Sequence, residues 1–180
     1  MAVLVGALAL SACHSSPSSD ATGRASAAGE LRLGQPTPSP QPLSRFDRTG
    51  LFTLTPEKVV AAQSTAGGPA TLGRDRHDGQ RVVWVYVRAR QAGGHPVTGP
   101  MLLAGIDVET SRGGIGSRLI SVDPVPGAPV DCTGDSANAE WRRGDTRTVC
   151  APYLIPDDST VARVLYSPVS SGRTLAWRVP

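Results

Sequence analysis

The chain has 180 residues, enough for a single core, and its 39% hydrophobic and 18% charged residues are ordinary for a globular protein. A formal net charge of +3 is small and dispersed, which argues against nucleic-acid binding and leaves at most weak contact with anionic lipid or a cell-wall polymer. Aromatic residues are scarce at 4%, and of the 18 Lys and Arg residues only Lys58 is a lysine, a bias that fits a GC-rich genome.

The first element in chain order is an apolar run from Ala2 to Leu10, closed by Ser11, Ala12 and Cys13. An apolar core, small residues that a peptidase accepts and then a thiol resemble the lipobox of bacterial lipoproteins, in which the Cys receives a lipid and opens the mature chain. The resemblance implies a signal peptide over 1–12, lipidation at Cys13 and a place on the extracytoplasmic face of a cell membrane. No Lys or Arg precedes Arg24, whereas export signals open with positive charge, which leaves an upstream start open. The competing reading is a frayed apolar terminus with an accidental Cys. A spanning helix is disfavoured by length: crossing the hydrocarbon takes about 20 apolar residues, and this run passes straight into Ser, Pro and Gly.

From Cys13 to Ser44 the chain is dominated by Ser, Pro, Ala, Gly and Thr, with few large apolar side chains. Such a segment buries too little surface to offset the entropy of ordering, so 13–44 is expected to be a flexible tether. Its last part, Pro36-Thr37-Pro38-Ser39-Pro40-Gln41-Pro42, favours extended polyproline II.

The folded domain is expected over 45–180, where apolar residues recur mostly with a period of two. Strands are predicted over 51–62, 80–90, 102–109, 118–122, 147–155, 161–166 and 175–179, separated by Gly, Pro, Asp and Ser that supply turns. Along Gln80 to Arg90, Val83, Val85, Val87 and Ala89 share one face, while Trp84, Tyr86 and Arg88 share the other, as in a central strand with a half-covered outer face. Leu102, Ala104, Ile106 and Val108 are expected to alternate with Leu103, Gly105, Asp107 and Glu109 in the same way. Pro56 should bulge its strand, and Pro152 should lie at an edge or bulge, because proline donates nothing to a ladder. About seven short strands without a long amphipathic helix point to an all-β sandwich.

With Cys13 assigned to lipid, Cys132 and Cys150 remain as a pair in a compartment that permits disulfides. Their bridge closes a loop of about 19 residues, worth roughly 3 kcal/mol by chain entropy. The competing readings are two free thiols or a metal pair; zinc wants four soft ligands, and no His lies in this segment.

The strand Val83-x-Val85-x-Val87-Arg88, the turn Arg143-Gly144-Asp145-Thr146 leading to Val149-Cys150, then Tyr153-x-Ile155-Pro156, Val164-x-Tyr166 and Leu175-x-Trp177 resemble an immunoglobulin-like extracellular lipoprotein family of actinobacteria. That family is mostly of unknown function and is related to secreted immunogenic antigens. The likeness covers about Phe46 to Pro180. It implies a small antiparallel sandwich held beyond the membrane, with no catalytic set to carry over. A Cys132–Cys150 bridge departs from the intersheet bridge of antibody domains.

The search for chemistry is mostly negative. The chain has no G-x-S-x-G elbow, no phosphate loop, no H-E-x-x-H helix and no EF-type calcium loop. His77 with Asp75 and Asp78 suggests a cation site, but Arg74, Arg76 and Arg81 crowd the same turn and would repel a cation. A solvated hairpin loop is the simpler reading. The loops carrying Asp75, His77, Asp78 and His95 are candidate binding loops, since a rigid sandwich presents function on its loops. Arg143-Gly144-Asp145 spells a tripeptide associated with integrin adhesion, but turn formation explains Gly144 and Asp145. Gly113-Gly114-Ile115-Gly116 reads as a flexible connection rather than a phosphate cradle.

The reading that follows is a lipid-anchored, non-enzymatic interaction module. It has no expected cofactor, metal or catalytic residue, its partner is an envelope protein or polymer, and nucleic acid is excluded. The alternative is an accessory envelope enzyme using Asp75, His77, Asp78 and Asp107; a spacer or surface antigen without specific ligand is the third.

Overall fold

The protein is represented by a computed structural model that describes residues 29–62, 79–120, 125, 127–168 and 173–180. Every regular element among them is a strand: β1 (Leu31–Arg32), β2 (Gln41–Arg45), β3 (Arg48–Ala61), β4 (Gln80–Gly94), β5 (Val97–Thr98), β6 (Ile106–Thr110), β7 (Ile115–Arg118), β8 (Glu140–Trp141), β9 (Thr146–Pro156), β10 (Val161–Tyr166) and β11 (Leu175–Arg178). Nine of them follow one hydrogen-bonded path, β1-β11-β10-β6-β7-β9-β4-β3-β2, and β5 pairs with β8. All described pairings are antiparallel except β1 with β11.

The path curls into two layers, and β7 is the corner. It pairs with β6 through Val108↔Gly116 and with β9 through Ser117↔Leu154. Gly116 permits this turn between layers: a Cβ there would lie 2.5 Å from Val108 Cγ2 and 2.9 Å from the Leu154 carbonyl oxygen. Period-two patterning then fills the interior. Val83, Val85, Val87 and Ala89 of β4, with Tyr153 and Ile155 of β9, face Ile106, Val108, Val164, Tyr166 and Trp177 of the other layer in one buried cluster. The Tyr153 hydroxyl crosses the core to donate to the Ile106 carbonyl at 2.8 Å, and burial pushes its pKa upward. The all-β sandwich expected from the periodicity is the fold, with the immunoglobulin-like form that the motif resemblance implies.

The opposite face of β4 and β9 carries a second buried cluster, Val82, Trp84, Tyr86, Cys150 and Leu154, with Val60, Leu119, Val125 and Cys132 packed on it. Trp84 and Tyr86 thus lie on the covered outer face, as their alternation indicates. Cys132 and Cys150 are joined by a disulfide with Cα atoms 5.5 Å apart, and Cys150 N–H donates to the Thr133 carbonyl at 2.9 Å. Asp131 fastens the same cover, accepting from the Tyr86 hydroxyl at 2.6 Å and from Lys58 Nζ at 2.9 Å. Pro56 sits at a register shift in the β3–β4 ladder. Pro152, expected at an edge or bulge, lies at neither: β9 runs between β7 and β4 and keeps its register with β4 through Trp84↔Pro152, and the missing donor is tolerated because it faces the β7 side, where the Pro152 carbonyl accepts from Leu119 N–H.

Three further expectations need correction. The tether expected over 13–44 does not reach Ser44: β1 and all of β2 but Arg45 lie inside it, Gly34 N–H donates to the Pro56 carbonyl, Thr37 N–H to the Leu54 carbonyl, and Thr37 and Gln41 are buried. Prolines here occupy positions where a lost donor is tolerated, and the burial comes from distant strands that local composition does not reveal. The strand expected from Leu102 begins only at Ile106; residues 102–105 form turns with both Leu102 and Leu103 buried, so alternation fails there. Finally, Ile115 and Gly116 belong to β7 rather than to a flexible connection, and of the strand expected over 118–122 only Arg118 is in β7, Leu119 and Ile120 are not strand, and 121–122 lie outside the described residues.

Candidate functional site

Of the sequence candidates, Cys13, Asp75, His77 and Asp78 lie outside the described residues. His95 is exposed just beyond β4, and its backbone has a structural task. Its N–H donates to the Thr49 carbonyl at 2.9 Å, and its carbonyl accepts from Nε2 of the buried Gln91 at 2.7 Å. Asp107 belongs to β6 in the other layer, opposite Leu165. Among the described residues no group of three His, Cys, Asp or Glu side chains is placed to hold a metal.

Arg143-Gly144-Asp145 forms the turn between β8 and β9, as expected from its composition. Gly144 has φ of 98°, a left-handed conformation that glycine adopts without penalty. Gly144 N–H donates to the Gln91 carbonyl, and Asp145 Oδ2 accepts from Arg142 N–H at 2.9 Å. The Asp145 carboxylate thus serves its own turn.

The arrangement most suggestive of recognition was not singled out by sequence reasoning. It lies at the end of the sandwich where β2 turns into β3. Arg45 pairs with Arg48, so the turn has only Phe46 and Asp47 at its centre, with φ of 49° and 60°. A two-residue hairpin turn with both φ positive is normally built from Asn-Gly or Asp-Gly. For an L-residue with a bulky side chain the left-handed region costs roughly 1–2 kcal/mol. Phe46 is nonetheless there, 73% exposed. Met101, which follows Pro100 in the loop before β6, shows the same combination: φ of 50° and 58% exposure.

Arg45 joins the two positions. Its guanidinium lies 4.8 Å from the Phe46 ring centroid, and its Nη1 donates to the Gly99 carbonyl at 2.6 Å. Together with Met101, Arg118, Asp135, Ser136 and Ala137 it borders a depression of about 290 Å³. Arg118 Nη1 donates to the Leu103 carbonyl at 2.9 Å, and Leu102 N–H donates to Asp135 Oδ2 at 2.6 Å. One end of the sandwich thus presents two apolar side chains in strained backbone, with guanidinium groups beside them. Residues held in such backbone cluster at ligand clamps and other functional sites. The only sequence signal was Arg45-Phe46-Asp47-Arg48 itself, an aromatic between charges where a turn residue is expected.

Burial raises the Asp135 pKa above its ordinary 3.8, and the Leu102 N–H and the Arg118 and Arg45 charges only partly offset it. The folded chain therefore holds a proton on Asp135 that the unfolded chain has lost between pH 3.8 and the raised value, so Asp135 makes stability fall as pH rises through that window. Asp131 acts oppositely. Its hydrogen bonds from Tyr86 and then Lys58 lower its pKa, and the stability this gives is lost as pH falls below 3.8. We expect Asp135→Asn to remove the first component, so that variant minus parent stability rises with pH from the ordinary 3.8 up to the raised pKa of Asp135 in thermal unfolding. A flat difference curve would show that Asp135 is not desolvated as described.

No family profile matches the chain, and no curated protein matches it in sequence. Two solved structures are similar to it at low identity. A candidate lipoprotein of Bacillus subtilis, YcdA, aligns over 76% of this chain and 39% of its own, with 10% identity and a TM-score of 0.48. This chain thus spans well under half of the Bacillus protein. An uncharacterized β-sandwich protein of Clostridium difficile aligns over 84% of this chain and 95% of its own, with 13% identity and a TM-score of 0.43.

Proposed function

We propose that the chain is a lipid-anchored, extracytoplasmic binding module that works through the Phe46 and Met101 end of its sandwich. The observation that carries this reading is the pair of exposed apolar side chains held in left-handed backbone beside an arginine-bordered depression. A solvated turn gains nothing from such a choice, whereas a contact surface does. The lipobox pattern ending at Cys13 supports the location, and the Cys132–Cys150 disulfide fits an oxidising compartment outside the cytoplasm. The motif resemblance to actinobacterial immunoglobulin-like lipoproteins belongs to the same reading, as does a non-enzymatic role with an envelope component as ligand.

The test is crosslinking in intact cells of a C-terminally tagged chain, with Cys13→Ala as the unanchored control. We expect the parent in the membrane fraction with a discrete crosslinked species, and the control released with that species lost. Equal membrane retention of parent and control would refute lipid anchoring. A crosslinked species undiminished by Phe46→Gly with Met101→Ser would refute this end as the binding surface.

A further inference from the structure

We propose that the Phe46 end of the sandwich inserts into the surface of an anionic bilayer, with Phe46 and Met101 entering the acyl boundary and arginines meeting the phosphates. The proposal rests on reading this end as the binding surface, but not on lipidation of Cys13.

Three observations converge on a lipid occupant. First, the apolar side chains are loop tips rather than a flat patch: Phe46 crowns a two-residue hairpin turn and Met101 a separate loop. Isolated tips find complementary surroundings in a fluid interface without needing a shaped partner. Second, cations stand behind the tips. The Arg45 guanidinium lies against the Phe46 ring, Arg48 is its cross-strand neighbour, and Arg118 borders the same depression as Met101. An apolar tip with charge at its base is the arrangement that places one in hydrocarbon and the other among headgroups. Third, the cations at this end outnumber the carboxylates: Arg45, Arg48 and Arg118 stand against Asp47 and Asp135, and Asp135 Oδ2 is engaged by Leu102 N–H.

Two side chains and a few guanidinium groups give weak, reversible insertion. A domain tethered to the same membrane meets it at high effective concentration, so weak insertion suffices to orient it.

The experiment uses the full chain carrying Phe46→Trp, mixed with phosphatidylcholine vesicles with and without phosphatidylglycerol, some with brominated acyl chains. The parent, whose Trp84, Trp141 and Trp177 are buried, supplies the background. We expect the indole at position 46 to shift to shorter wavelength and to be quenched by brominated chains on phosphatidylglycerol vesicles. The effect should be several-fold weaker on phosphatidylcholine alone, and reduced by Arg48→Glu. Phe46→Gly, which relieves the turn, should raise the melting temperature while weakening binding to phosphatidylglycerol vesicles, so that loss of binding cannot be ascribed to unfolding.

An indole that stays in water while the chain is bound to vesicles overturns the proposal, as does equal quenching on both compositions. If the indole instead responds only to a purified envelope protein captured by crosslinking, insertion is refuted while the binding-module reading stands. Membrane retention of Cys13→Ala cells tests the anchor separately.

Discussion

Trp177→Ala is expected to destabilise the fold by about 3–5 kcal/mol, the range for removing a large aromatic from a core, and to lower the melting temperature by roughly 10–15 °C for a domain of this size. Trp177 is fully buried on β11, between Leu31 of β1 and Val164 of β10. Its indole N–H donates to the Gln35 carbonyl at 2.8 Å. One side chain therefore fills the core and fastens the N-terminal segment to it. Arg163 adds a second tie, holding Glu30 at 2.6 Å and Glu109 at 3.1 Å, but at an exposed site where such pairs contribute little. Loss of the ring should release β1, making the peptide bond after Arg32 accessible to trypsin well below the melting temperature. Trp177→Phe keeps most of the volume and loses the hydrogen bond, at about 1 kcal/mol for the bond itself. A cost for Trp177→Ala below about 1 kcal/mol, with no change in cleavage at Arg32, would mean that residues 29–37 are not part of the cooperative unit.

That segment also shows where the chain was legible and where it was not. Strands with a clean period of two were readable to within a few residues: Val161–Tyr166 is reproduced with its bounds, and the valine face of β4 points into the core while Trp84 and Tyr86 point out. Local alternation determines these because one face must be buried. Residues 29–44 were read as tether because composition reports only local burial. Their stability comes from Leu54, Pro56 and Trp177, far along the chain. The corner strand β7 was missed for a related reason. Gly116 looks like flexibility in sequence, but in the fold it is the one residue that lets Val108 and Ile155 close over it. The candidate site was the least legible part. Phe46 and Met101 are unremarkable letters until backbone angles reveal that each is held in a conformation its side chain disfavours. The disulfide was readable from cysteine arithmetic, though not that it clamps a cover over an outer cluster.

Loss of that disulfide is the second large effect expected. Cys132→Ala with Cys150→Ala should cost roughly 3 kcal/mol, from the entropy regained by an unfolded loop of this length. The loss should be felt first on the outer face. The bridge holds residues 130–134 against β9, next to Tyr86 and Trp84. Without it the cover is held by Asp131, through an exposed ion pair with Lys58 and the hydrogen bond from Tyr86. The Tyr86 hydroxyl reports the outcome. Burial, and after it the hydrogen bond and charge of Asp131, push its pKa from 10.0 to about 12. The folded chain thus keeps a proton that the unfolded chain loses above pH 10.0, so this tyrosine makes stability fall as pH rises through the interval. Opening of the cover returns Tyr86 to water and removes Asp131, and its phenolate absorbance should then appear near the ordinary value. Trp84 emission should shift to the red, while Trp177, in the other cluster, stays buried. A double variant with an unshifted Tyr86 titration would show that Asp131 and the outer cluster hold the cover without the disulfide. Simultaneous exposure of Trp84 and Trp177 would show that cover and core unfold as one unit.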